Sequence, residues 1–153
     1  MRRIVTGWGD TGEPVVLVDD EPPQLVSTEQ ANAWEVWISD DTPPDLRDPE
    51  DAAQRRPWSL EPPKPRGTAF RLIEFHPGGS SGMHSTDTLD YVVILSGEIT
   101  LTTAGRRLVL KAGDVVVQRG APHDWTNESA RPCLAAVVLV SAGTRVDAST
   151  AQA

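Results

Sequence analysis

The chain has 153 residues, 39% of them hydrophobic and 24% charged. That is the size and polarity of one globular domain and leaves no room for a second. A formal net charge of -8, with no basic stripe to offset it, argues against nucleic acid and anionic membrane surfaces as partners.

Met1-Arg2-Arg3 is charged, but Thr6-Gly7-Trp8-Gly9-Asp10 interrupts the apolar stretch a secretory leader needs. The longest apolar run, Cys133–Val140, is too short to cross a bilayer. A cytoplasmic location is therefore expected. The composition includes 13 prolines and 12 glycines, which favours turns and strands over helices.

In chain order, Arg3–Val5 and Pro14–Val18 read as short strands around the turn Gly9-Asp10-Thr11-Gly12, and Trp34–Ile38 as a third. All three are expected to be edge elements. From Ser39 to Gly67 prolines and aspartates accumulate and apolar periodicity disappears. So long a connection is either a surface excursion or a flap over a site. Only Asp48–Arg56 could form a short helix, with Asp48 as its N-cap and Pro49 opening it.

From Thr68 onward six β-rich runs follow closely: Thr68–His76, Asp90–Leu95, Glu98–Thr102, Arg107–Leu110, Val115–Gln118 and Cys133–Ser141. Ala104-Gly105 closes a hairpin between two of them. Many short strands with almost no helical periodicity predict an all-β antiparallel barrel or two-sheet sandwich. Residues 1–67 are expected to pack on a barrel formed by residues 68–145, with 146–153 a disordered tail. Cys133, the lone cysteine, reads as a buried small hydrophobe.

Chemistry concentrates in two segments. In the first, a glycine-rich turn, Gly78-Gly79-Ser80-Ser81-Gly82, delivers His84; Asp90 then opens a strand that ends at Gly97. In the second, Gly113 precedes a strand, followed by Gly120, His123 and Asn127. Together these stretches resemble the paired signature of the cupin superfamily, over about half the chain, from Thr68 to Ser141. Gly78, His84, Asp90 and Gly97 fall on its first motif; Gly113, Gly120, His123 and Asn127 fall on its second.

Two departures stand out in the first motif: Thr86 replaces its second histidine and Asp90 its glutamate. In the second motif Gln118 stands where proline is usual, and the Gly113–Gly120 interval is one residue short. The resemblance implies a double-stranded β-helix, or jelly roll, with a metal site reduced to His84, Asp90 and His123. Two imidazoles and a carboxylate suit iron or catalytic zinc, and manganese or nickel is not distinguished from them. The other reading is a metal-free barrel in which the histidines are polar lining.

Strand alternation puts Thr86 and Trp125 on the face of His84 and His123, and Val92 and Ile94 on that of Asp90, leaving Tyr91 and Val93 on the opposite face. On Phe70–Phe75 either Arg71, Ile73 and Phe75 or Phe70, Leu72 and Glu74 face inward. The candidate substrate-binding residues are Thr86, Trp125, Arg71 and Tyr91. Among the loop residues, His76 belongs to a rim, Arg66 and Arg119 are carboxylate clamps or surface charges, and Asp114 caps a turn.

Such an interior suits a small-molecule lyase or isomerase of dehydratase or decarboxylase type, with His84, Asp90 and His123 catalytic and a divalent metal bound. A non-haem iron oxygenase, a metal-free acid–base dehydratase and a non-catalytic binding module are the alternatives. Pairing through edge strands makes a homodimer the expected assembly.

Overall fold

The computed structural model describes residues 1–143 apart from Pro49, Arg55 and Lys64. The tail expected at 146–153 and the helix-opening role given to Pro49 lie outside the described residues. Eleven strands run in the order β1 (Arg3–Trp8), β2 (Pro14–Asp20), β3 (Gln24–Ser27), β4 (Ala31–Ser39), β5 (Thr68–Phe75), β6 (Thr88–Ser96), β7 (Glu98–Thr103), β8 (Arg106–Lys111), β9 (Val115–Arg119), β10 (His123–Thr126) and β11 (Cys133–Ser141).

Three antiparallel sheets result. β1 and β2 form a ribbon, β10-β7-β8 a small sheet, and β3-β4-β5-β11-β6-β9 a six-stranded one. The core lies where the larger two sheets face each other: Phe75, Val92, Ile94, Cys133 and Ala135 from the six-stranded sheet meet Ile99, Leu101 and Trp125 from the small one. This is the two-sheet antiparallel barrel that the strand pattern predicts.

β6 shows how the sequence divides this interior. Thr88, Asp90, Val92 and Ile94 are buried at every second position, while Tyr91 and Val93 are exposed. The inward face is polar at the start of the strand and apolar further on, so one strand serves both a site and the core. On β5 the inward set is Arg71, Ile73 and Phe75, of which Arg71 and Phe75 are buried and Ile73 packs on the core, whereas Phe70 is exposed.

The glycine at the end of β6 is required by close approach. Gly97 has φ of 76°, and a Cβ there would sit 2.5 Å from the Pro132 carbonyl oxygen.

Two expectations about the first 67 residues are corrected. β4 is not an edge, because the four-residue β3, unmarked by any strong alternation, pairs along its outer side. The helix expected at Asp48–Arg56 reduces to one 3-10 turn, Ala52–Gln54. The Asp48 carboxylate accepts the Glu50 N–H at 2.9 Å instead, and Asp51 caps the turn by accepting the Ala53 N–H at 3.1 Å.

The ribbon is pinned by Arg3, which is buried and donates to both carboxylate oxygens of Asp20 at 2.8 Å and to the Val36 carbonyl at 3.0 Å. A second ion pair at 2.7 Å, to Asp51, ties the ribbon to the long connection.

Candidate active site

The glycine-rich turn lays the chain antiparallel to β10. Gly78 N–H donates to the Asn127 carbonyl at 2.8 Å, and Ser81 N–H to that of Trp125 at 2.9 Å. His84 and His123 then exchange both backbone hydrogen bonds, at 2.9 and 2.8 Å. This pairing makes the two imidazoles neighbours, with ring centroids 4.3 Å apart and planes tilted by 58°.

Each ring is held in the same way. Nδ1 of His84 lies 2.8 Å from the Gly82 carbonyl oxygen, and Nδ1 of His123 lies 2.8 Å from that of Ala121. A carbonyl can only accept, so both Nδ1 atoms carry a hydrogen, and in the neutral ring this leaves the lone pair on Nε2. Burial, together with His84 nearby, pushes His123 below its ordinary pKa and keeps it neutral.

Both rings open onto a cavity of about 370 Å³, whose lining includes Ile73, Phe75, Val92, Trp125, Ala135, Val137 and Leu139. That is a small-molecule volume with a mainly apolar wall. Trp125 presents its ring edge-on to His123 at 6.4 Å. Thr86 is buried, and its hydroxyl accepts a hydrogen bond from Thr88 at 2.7 Å.

Asp90 lines the same cavity and is 6% exposed, with no hydrogen-bond partner for Oδ1 among the described residues. Burial pushes its carboxyl above the ordinary range, against the opposing influence of Thr88. Its cross-strand neighbour Gln118 is also buried in the cavity wall, and neither end of the Gln118 amide has a partner among the described residues.

Arg71 lines the cavity too, but its charge is already engaged. Nε donates to both Glu35 oxygens at 3.1 Å, Nη1 donates to the Leu60 carbonyl at 2.9 Å, and the Trp58 ring lies 4.3 Å from the guanidinium carbon. Trp58 and Leu60 belong to the long connection and line the cavity, so of the two readings of Ser39–Gly67 the structure selects the flap.

The structure thus gathers His84, His123, Asp90, Thr86, Trp125 and Arg71 around one cavity. Tyr91 is a correction: it is 47% exposed on the outer face of β6, as alternation from the inward Asp90 requires, and cannot touch a ligand inside. His76 sits outside the cavity against Asn32 and Glu74. Arg66 donates to the Thr42 carbonyl at 3.1 Å, Arg119 is exposed, and Asp114 accepts the Lys111 N–H at 2.8 Å in the expected turn.

The second motif's Asn127 is a structural clamp. Fully buried, it donates to the carbonyls of Phe75 at 2.9 Å and Arg131 at 2.8 Å.

The three-ligand metal set does not fit this arrangement. Among the described residues no three His, Cys, Asp or Glu side chains converge closely enough to hold an ion. The imidazoles converge, and the Asp90 carboxyl, one methylene shorter than a glutamate's, is near enough to His84 to feel its charge but does not complete a three-ligand cluster.

Sequence reasoning missed Gln118 and Glu35 as residues of the site or its support. For Gln118 a signal was present, since an amide breaks the apolar run Val115-Val116-Val117 where the motif calls for proline. Glu35 gave none, because its partner Arg71 is distant in the chain.

The family described as "Cupin domain" matches residues 71–140. The "Phomopsin biosynthesis cluster protein D" of Diaporthe leptostromiformis is 41% identical over 134 residues, covering 84% of this chain and 71% of the relative. The "Cupin-domain-containing oxidoreductase srdD" of Neurospora crassa is 32% identical, covering 82% and 65%. Among solved structures, the polyketide cyclase RemF from Streptomyces resistomycificus gives a TM-score of 0.55 at 19% identity, covering 79% of this chain and 75% of that one. A Cupin 2 conserved barrel domain protein from Salinispora arenicola gives 0.53 at 20%, covering 80% and 87%. Both structural likenesses are of fold.

Proposed function

The chain belongs to the cupin superfamily, and on that premise we propose that it is an enzyme moving a proton on a small, largely apolar organic molecule, as a lyase or isomerase. The observation that carries this reading is the pair of imidazoles 4.3 Å apart, each with Nδ1 tied to a backbone carbonyl. Both Nε2 atoms are left as bases at the wall of one cavity.

Two adjacent bases of this kind can divide a proton transfer. One Nε2 accepts the proton from a carbon or oxygen of the bound molecule. That imidazolium, or its neighbour after taking the proton from it, returns the same proton at a neighbouring atom or to a leaving group. The backbone carbonyls hold the rings in register, so no reorientation is needed between the steps. Apolar walls and Trp58 of the flap surround the rings, and a polar interaction made among such walls is stronger than one in open water.

The donor set that converges is this acid–base pair, so the route needs no metal. The relatives' names support a substrate drawn from a biosynthetic pathway. They also favour a second reading, an oxidation of the same bound molecule, because one of them is named an oxidoreductase.

The test is deuterium exchange into ketones bearing α-protons, followed by NMR in D2O. Wild-type protein is expected to accelerate the exchange, and His84→Ala and His123→Ala each to lower it by about 10²-fold or more. Exchange unchanged in both variants would remove the acid–base reading. Stoichiometric divalent metal that survives dialysis, with exchange lost on chelation, would replace it by a metal route. Oxygen uptake on an electrode with the same ketones would promote the oxidative reading. Tight ligand binding without exchange or oxygen uptake would leave a binding module.

A further inference from the structure

We infer that Gln118 and Asp90 form the polar end of the substrate site and select an uncharged molecule carrying a carbonyl and a hydroxyl on neighbouring atoms. This deepens the proton-transfer reading and rests on it for the word substrate, but it stands on a separate observation. Asp90 and Gln118 are opposite one another in the β6–β9 register, are 6% and 7% exposed, and both line the cavity. Oδ1 of the one and both Nε2 and Oε1 of the other have no partner among the described residues.

Buried polar atoms in native proteins are nearly always satisfied. Three unsatisfied atoms side by side therefore mark a place where a ligand supplies the partners. Packing does not explain the amide: Val115, Val116 and Val117 precede it, and an apolar side chain would fill the wall without an unsatisfied donor and acceptor.

The chemistry of the occupant follows from what the atoms offer. Nε2 donates, which suits a carbonyl oxygen; Oε1 and Oδ1 of Asp90 both accept, and the single hydrogen of a hydroxyl goes to one or is shared between them. A carboxylate or phosphate is disfavoured. The guanidinium of Arg71 is bound to Glu35 and the Leu60 carbonyl, so an anion would meet Asp90 with no free counter-charge. The remaining wall, including Ile73, Phe75, Val92 and Trp125, suits an apolar or aromatic body.

The probes are 2-hydroxy-1-phenylethanone and acetophenone, which differ by the hydroxyl alone. Dissociation constants are read on the full chain from quenching of the cavity tryptophans and checked by calorimetry. Wild type is expected to favour the hydroxyketone by about tenfold or more. Gln118→Leu is expected to bring the ratio close to one while raising Tm, because it removes two unsatisfied buried atoms. A merely structural glutamine would give the opposite shift in Tm. Gln118→Met gives the same readout with an unbranched side chain if the leucine variant does not fold.

Equal wild-type affinities, no binding of either ketone, or discrimination that survives both substitutions would overturn the inference. Binding does not require turnover. Discrimination by the wild type that the Gln118 substitutions abolish, with no deuterium exchange, would therefore count against the catalytic reading alone.

Discussion

At His123 the direction of the pKa shift makes a pH prediction. Burial lowers this group below 6.5, so the neutral, proton-accepting ring persists into mildly acidic solution. The acid limb of the exchange rate is expected below pH 6.5, followed as kcat/KM against pH. The sign for stability is the same. A lowered folded-state value means that the contribution of His123 is complete above 6.5 and is lost as pH falls through the lowered value. Asp90 runs oppositely. Its raised carboxyl contributes stability that is full below 3.8 and lost as pH rises through the raised value. Among the residues, His84, His123 and Asp90 were legible through the resemblance to the paired cupin motifs, and Thr86 and Trp125 through strand alternation counted from the two histidines. Arg71 was half legible: alternation left two faces open on β5, and its partner Glu35, on β4, chose the face. Nothing local in the sequence announces a pair so far apart.

Along the elements, the Ala104-Gly105 turn was read correctly from its hairpin position, and its geometry explains a cost the sequence carries. Ala104 has φ of 49° beside Gly105 at 72°, the two-residue geometry in which asparagine precedes glycine most comfortably. Ala104→Asn is expected to stabilise the protein by about 0.5–1 kcal/mol, checked by chemical denaturation. The β7–β8 register above it, Thr103↔Arg106 through Glu98↔Lys111, should be unchanged. β3 shows the opposite case. Gln24–Ser27 is too short to display alternation, and it becomes a strand because β4 offers an unpaired edge. The 3-10 turn at Ala52–Gln54 is likewise a tertiary product: Ala53 is wholly buried, and that packing replaces the helix suggested by Asp48.

Across the whole molecule, the outer face of the large sheet carries an apolar stripe. Tyr91 pairs with Val117 and Val93 with Val115 on its β6–β9 margin, and all four side chains are exposed. β9 also ends the sheet, so no strand among the described residues pairs with its far edge. A stripe of this kind on an edge strand favours self-association. Sedimentation is expected to give a dimer, and Val117→Asp to shift it to the monomer with little change in Tm; a monomeric wild type would contradict this.

The sequence by itself determined the all-β class, the hairpin and the two glycine turns, because strand alternation and left-handed turns are written in local residue order. Only the tertiary structure decided that the long connection covers the cavity, that Arg71 is neutralised by Glu35, and that Asp90 lies opposite Gln118 in the sheet. Each of those depends on side chains from distant strands competing for the same buried hydrogen-bonding groups, a contest that no stretch of sequence contains.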